Sequence, residues 1–258
     1  MSIITITSDF GLKDPYLAVL KGQIFNQLPD INIIDISNDI DKFNIPQAAY
    51  IVKNTFENFP KNTVHLISIG VPDSDMDFLI IKHKEQYFIG LDNGMFSLIF
   101  ENQPIIAYRL NLSAPPELSS FPEKSLLVAA AAHLSRGGVP EVIAEPIQGL
   151  RSMISYAPVI QDNIIRTSVV HIDSYGNLIT NLTKDVFNKN IKGRSITINF
   201  RSTKEQVNTI SRSYSDVDPG ETVALFNSAG HLEIAFLLGN ASGLLGIRIN
   251  DTISIQFR

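Results

Sequence analysis

No cysteine occurs anywhere in the chain. That removes disulfides and thiolate-metal sites, and it makes a reducing compartment, the cytoplasm, the expected home. Basic runs are missing as well. Lysines and arginines are scattered, and a net charge of −5 with a pI near 5.5 argues against a nucleic-acid partner. No apolar stretch approaches the ~20 residues of a membrane span; the most apolar, Leu126–Leu134, is far shorter. The opening M-S-I-I-T-I-T-S-D-F-G has no basic region and meets its first acid at Asp9, so it reads as a buried strand rather than a signal peptide. Dinucleotide, Walker, nucleophile-elbow and H-E-x-x-H signatures are all lacking. His65, His83, His133, His171 and His231 stand alone, without metal-ligand spacing, and are expected to be structural. Neither a metal nor a cofactor is expected.

What is present is ample for a core: 44% of the 258 residues are hydrophobic, enough for one large domain or two moderate ones. The first half alternates strand-like and helix-like segments. Ile3–Thr7 is β-branched and short, Ile31–Ile36 and Thr63–Ile69 read as further strands, while Tyr16–Leu28 carries Leu17, Leu20, Ile24 and Leu28 at helical spacing before Pro29. Ile45–Phe56 predicts a helix with Pro46 near its start, Phe78–Lys82 and Gln86–Gly90 a hairpin, and Leu126–Leu134 an alanine-rich helix closed by Gly137-Gly138. This alternation predicts an N-terminal α/β domain, residues 1–155, with a mostly parallel sheet. Beyond it, Ile164–Ile172, Ser195–Phe200, Thr222–Phe226, His231–Leu237 and Thr252–Gln256 are short strand candidates with weak helical periodicity. They predict a C-terminal all-β barrel or sandwich over residues 164–258. No internal repeat is visible.

Two acidic, Gly-containing turns carry the chemistry, T-S-D-F-G at Thr7–Gly11 and D-S-Y-G-N at Asp173–Asn177. Together they point to a polar small-molecule site. Asp9 directly follows a strand, and ligands of parallel sheets bind at strand carboxyl ends. Its carboxylate suits a vicinal ribose diol, with Asp14 as a second acid at the same mouth; the alternative is a helix or turn cap. L-D-N-G at Leu91–Gly94 reads as a tight turn or as part of the site. Asp173 accepts only, whereas Asn177 both donates and accepts, a pairing fit for an amine and a heteroaromatic edge. Glu233, alone between Leu232 and Ile234, is either solvent-facing or a ligand contact.

These blocks, in order, are T-S-D-F-G with D-x-Y-x-A-x-x-K-G, D-I-S, N-I-P-Q-A-A, F-P-x-x-T-V-H, D-N-G, D-S-Y-G-N-L-I-T-N and N-S-A-G-H-L-E-I-A. The series resembles the S-adenosyl-L-methionine hydroxide adenosyltransferase family, the S-adenosylmethionine hydrolases related to fluorinase and chlorinase. The resemblance runs from Thr5 to the end of the chain. It implies an α/β domain and a β-barrel assembled as a homotrimer, with the adenosyl ligand between subunits and S-adenosylmethionine as substrate rather than cofactor. It also assigns roles: Asp9 to the ribose, Asp14 to the methionine end and Phe43 to the reacting carbon. Asp173 falls to the methionine amine, Asn177 to adenine, Tyr214 to stacking on adenine and Ser228 to the methionine carboxylate.

The family's chemistry is displacement at the ribose 5′ carbon by water or hydroxide held by an Asp, an Arg and a His. In this sequence the Asp position falls near Gly70, the segment Ile67–Phe78 holds no arginine, and Pro122 takes the histidine's place. Asn38 also replaces a histidine common after D-I-S. Asp73, Asp75 and Asp77 are present but out of register, with Asp73 or Asp75 as candidate bases. Three readings follow: an enzyme with a rebuilt nucleophile pocket, a non-catalytic adenosyl binder or sensor, and a trimer whose site has lapsed. No metal, nucleic acid or membrane enters any of them.

Overall fold

In Ile3–Ser8 (β1), isoleucine alternates with threonine, and every residue from Ile4 to Ser8 is buried. Both faces of this strand must therefore be covered, which makes it central. The computed structural model describes residues 2–71, 76–118, 120–154, 157–200 and 205–258. Contacts divide the chain into two units, Met1–Ile154 and Ser155–Arg258.

In the first unit β1 is followed by α1 (Tyr16–Gln27), β2 (Asn32–Ser37), α2 (Ile45–Lys53), β3 (Val64–Ser68), β4 (Phe78–His83), β5 (Gln86–Leu91), α3 (Met95–Phe100), β6 (Ile106–Leu110), α4 (Glu123–Ser135) and β7 (Ala144–Ile147). Helix α2 ends earlier than its pattern suggests. Asn54 Nδ2 and Thr55 Oγ1 donate back to the Tyr50 and Ile51 carbonyls, and a short 3-10 turn at Phe56–Asn58 follows.

The seven strands run in the order β2-β1-β3-β5-β4-β6-β7. Pairings from β2 to β5 are parallel, and those from β5 through β4 and β6 to β7 are antiparallel. The sheet is thus mixed rather than mostly parallel. The cause is the expected hairpin: Lys84 and Glu85 turn it with φ of 46 and 60, and so short a loop joins only antiparallel strands. Ile4, Ile6, Val64 and Leu66 pack under α1 and α4, while Ile67, Leu79 and Phe88 pack under α2 and α3.

The second unit holds β8 (Val159–Gln161), β9 (Ile164–Ile172), β10 (Leu178–Thr183), α5 (Lys184–Ile191), β11 (Ile196–Phe200), β12 (Gln206–Val207), β13 (Thr222–Phe226), β14 (His231–Phe236), α6 (Ala241–Leu245) and β15 (Thr252–Phe257). Its strands pair antiparallel in the order β12-β11-β15-β9-β10-β14-β13, with β8 added on β9. β12 lies beside β13, and a bridge from Ser211 to Leu225 helps fold the sheet back into a nearly closed barrel. Two short helices interrupt the expected all-β pattern; α5 buries only Phe187, too little to mark a period. Among the described residues, no helix is long and apolar enough to cross a membrane.

One buried polar group in the first core titrates in an accessible range. The His65 ring lies between Thr5 Oγ1 at 2.8 Å and Gln86 Oε1 at 3.3 Å, and stacks on Phe88 at 4.5 Å. Burial lowers its pKa from 6.5 to about 4, although the Gln86 bond favours the charged ring. Between those values the unfolded chain binds a proton that the folded chain refuses, so His65 contributes stability above pH 6.5 that is lost toward pH 4. The expected loss is about 3 kcal/mol from this group. Urea unfolding across that range checks it: a His65→Asn variant should lack this component, and an unchanged pH slope would refute the assignment.

Candidate adenosyl site

The chain leaves β1 for β2 on one side through α1 and returns to β3 on the other side through α2, with the two helices on opposite faces. Such a reversal opens a crevice at the carboxyl ends of β1 and β3. Asp9 stands there, only 6% exposed. Its Oδ2 accepts the Phe43 N–H at 2.9 Å and the Gly70 N–H at 3.2 Å. Its own N–H donates to the Ser68 carbonyl at 3.3 Å, and the Lys42 ammonium donates to its carbonyl oxygen. Beside it, Ser8 Oγ donates to Asn38 Oδ1 at 2.7 Å, and the Gly11 N–H donates to the Asn38 carbonyl at 2.8 Å.

Asp9 is therefore a loop organiser rather than a helix cap, since α1 starts after Pro15 without any side-chain cap. Phe43 has a φ of 64, unusual for a bulky residue, and the residue is 64% exposed. Gly70, with φ 83, reaches the carboxylate from a conformation that glycine adopts freely. Asp14 is exposed in the loop before α1. The L-D-N-G segment joins β5 to α3, and Asn93 adds a tie: its Nδ2 donates to the Ile69 carbonyl at 3.0 Å and its Oδ1 accepts the Met95 N–H at 3.2 Å. Asp73 and Asp75 lie outside the described residues.

Sequence reasoning missed two charged groups here. Lys42 supplies a cation against Asp9, in a place where the altered segments had suggested none. Glu123, the first residue of α4, is 6% exposed and accepts from Ser68 Oγ at 3.4 Å. Burial raises its pKa above the ordinary carboxylate value and the charge of Asp9 adds to that, while its backbone and Ser68 hydrogen bonds oppose. The only sequence signal for it was Pro-Glu ahead of an alanine-rich helix. Alongside, the rings of Phe10, Tyr16 and Phe121 cluster with centroids 5.5–5.9 Å apart.

In the second unit Asp173 and Asn177 are bonded to each other. Asp173 Oδ1 accepts the N–H groups of Tyr175 and Asn177 at 3.0 and 2.9 Å, and Oδ2 accepts Asn177 Nδ2 at 3.0 Å. Glu233 is buried rather than solvent-facing, and takes the Tyr214 hydroxyl at 2.6 Å and Asn227 Nδ2 at 3.0 Å. Burial first, then the Glu233 bond and charge, and the charge of Asp173, raise the Tyr214 pKa. Ser228 is exposed in the β13–β14 turn, which Asn227 Oδ1 closes by accepting the Ala229 and His231 N–H groups, each at 3.1 Å.

The first unit is an α/β domain with a buried carboxylate at a switch point, and the second is a β-barrel with a carboxylate–amide cluster of its own. More narrowly, the chain belongs to the SAM hydroxide adenosyltransferase family: sequence models of the family's N-terminal and C-terminal domains match residues 4–144 and 167–254. It is 30% identical to the (R)-S-adenosyl-L-methionine hydrolase of Methanocaldococcus jannaschii, over 100% of this chain and 97% of that one. With the enzyme of the same name from Thermus thermophilus it shares 26% identity over 96% of this chain and 97% of the relative. Among solved structures, a conserved protein of Thermotoga maritima superposes with a TM-score of 0.88 at 27% identity, covering 99% of this chain and 100% of its own.

The Tyr214–Glu233 bond yields a direct expectation. Tyr214→Phe removes the donor to a buried carboxylate oxygen and should destabilise the second unit by about 1–3 kcal/mol. Urea unfolding measures it, and unchanged stability would mean that Glu233 does not depend on Tyr214.

Proposed function

We propose that this chain binds S-adenosyl-L-methionine and hydrolyses it to adenosine and methionine by attack of water at the ribose 5′ carbon. The observation that carries the reading is Asp9, a buried carboxylate held by two backbone N–H groups at the switch point of a family fold. In this reading Asp9 accepts the ribose hydroxyls, Phe43 lies beside the reacting carbon, and Asp14 lies toward the methionine end. Asp173 takes the methionine amine, Asn177 an adenine edge, Tyr214 the adenine face and Ser228 the methionine carboxylate. Stacking of adenine on a ring is worth ~1–3 kcal/mol by analogy with nucleic-acid bases. As the resemblance implies, the two residue sets come from different copies in a homotrimer, and the setting is cytoplasmic.

The active site is divergent. The resemblance puts an Asp near Gly70, which has no side chain, and a His where Pro122 stands. That observation favours a second reading, a binder or sensor of adenosyl compounds without turnover.

Calorimetric titration with S-adenosylmethionine, followed by chromatography for adenosine and methionine, separates the two. Release of both products is expected; tight binding without release selects the binder, and no binding to any adenosyl compound sinks both. Asp9→Ala should weaken binding roughly 10–150-fold, the equivalent of about 1.5–3 kcal/mol for hydrogen bonds to a charged group. The trimer has its own measurement: a monomeric mass by analytical ultracentrifugation would undo the shared site.

A further inference from the structure

Ser68 ties together two buried acids. Its carbonyl accepts the Asp9 N–H at 3.3 Å, and its hydroxyl donates to Glu123 Oε1 at 3.4 Å. Ser68 is the last residue of β3 and Asp9 the first after β1, and α4 packs on both strands with its N-terminal residue, Glu123, at this end of the sheet. Among the described residues Glu123 makes no ion pair. A carboxyl that is almost wholly buried and has no cationic partner is uncommon unless it is kept near neutrality for use. The plain structural alternative is that Glu123 only caps its own helix, because its carboxylate also takes a backbone hydrogen bond from its own residue.

We propose that Glu123 is the general base that deprotonates the attacking water, and that Ser68 is the residue that positions it. The assignment rests on the hydrolase reading above. The water oxygen forms a bond to the ribose 5′ carbon while the carbon–sulfur bond breaks, its electron pair passing to sulfur to give neutral methionine. One water proton moves to the Glu123 carboxylate, leaving adenosine, and returns to solvent after product release. Among nearby charges, Asp9 at the end of β1 favours the protonated acid, Lys124 follows on α4, and Lys42 lies against the Asp9 carbonyl. A carboxyl whose pKa burial raises is a stronger base than an ordinary one. Because the ionised form works, the rate should fall as pH drops through the Glu123 pKa.

The test measures kcat against pH under saturating S-adenosylmethionine, with affinity by calorimetry, for the wild type, Glu123→Gln, Ser68→Ala, Asp73→Asn and Asp75→Asn. Glu123→Gln should keep its affinity and lose about 10²–10⁴-fold in kcat. Ser68→Ala removes a bond that favours the carboxylate, so its acidic limb should move to higher pH, which a capping role would not cause. A rate lost in Asp73→Asn or Asp75→Asn but kept in Glu123→Gln would make that aspartate the base and overturn the assignment. Wild-type turnover that survives Glu123→Gln with an unaltered profile overturns the base alone. Binding without turnover in the wild type overturns the hydrolase reading and the base together. Should Glu123→Gln fail to fold, the Ser68→Ala limb decides: an unmoved limb overturns the proposal.

Discussion

A buried carboxylate bonded to two backbone N–H groups holds three segments of the first unit together. Asp9 joins the end of β1 to the loop before α2 through Phe43, and to the end of β3 through Gly70. Hydrogen bonds to a charged group contribute about 1.5–3 kcal/mol each, and an uncompensated buried N–H costs about 1–3 kcal/mol. One carboxylate therefore fixes both loops at the carboxyl end of β1. Phe43 shows the consequence, because its backbone is drawn into a left-handed conformation while the residue is left exposed. Strain of this sort persists only where the surroundings over-determine it, and here the surroundings are the Asp9 carboxylate.

The second unit follows the same rule with different atoms. Asp173 fixes its own turn by accepting two backbone N–H groups and the Asn177 amide. Glu233, buried in β14, is satisfied by a tyrosine and an asparagine. Each network leaves a polar face that is already ordered, so a ligand meeting it loses little to reorganisation. Asn177 illustrates the limit: its amide is engaged with Asp173, and any adenine contact must use the remaining capacity of that group.

The central strands were legible because short runs rich in β-branched residues, as in Ile3–Thr7 and Thr63–Ile69, fit strands buried on both faces. The hairpin was legible too, but its insertion between β3 and β6 was not, since strand order leaves no mark on hydrophobic periodicity. β6 and β10 escaped notice because I-A-Y-R-L and L-I-T-N-L-T are short and lie beside polar or proline-bearing segments. Asp9 and Asp173 stood out by sitting directly after strands in Gly-containing turns. Lys42 and Glu123 did not, because a lone charged residue defaults to the surface and only long-range contacts with Asp9 and Ser68 give them a place.

Charge flow explains why an acidic mouth is compatible with the proposed reaction. The sulfonium substrate is cationic. If hydroxide attacks, opposite charges cancel, and the protein must first stabilise an anion, which calls for fixed positive groups. If neutral water attacks, the positive charge is not cancelled but moves from sulfur to the incoming oxygen. A carboxylate placed near that oxygen rather than near sulfur then stabilises the transition state more than the ground state, which is the condition for catalysis. In the proposed reading Glu123, behind Ser68, is such a carboxylate, whereas Asp9 is engaged with the ribose and Lys42 is turned to a backbone oxygen. In the proposed reading, a crevice without the acid and the imidazole that the resemblance implies suits neutral water with a base rather than a held hydroxide.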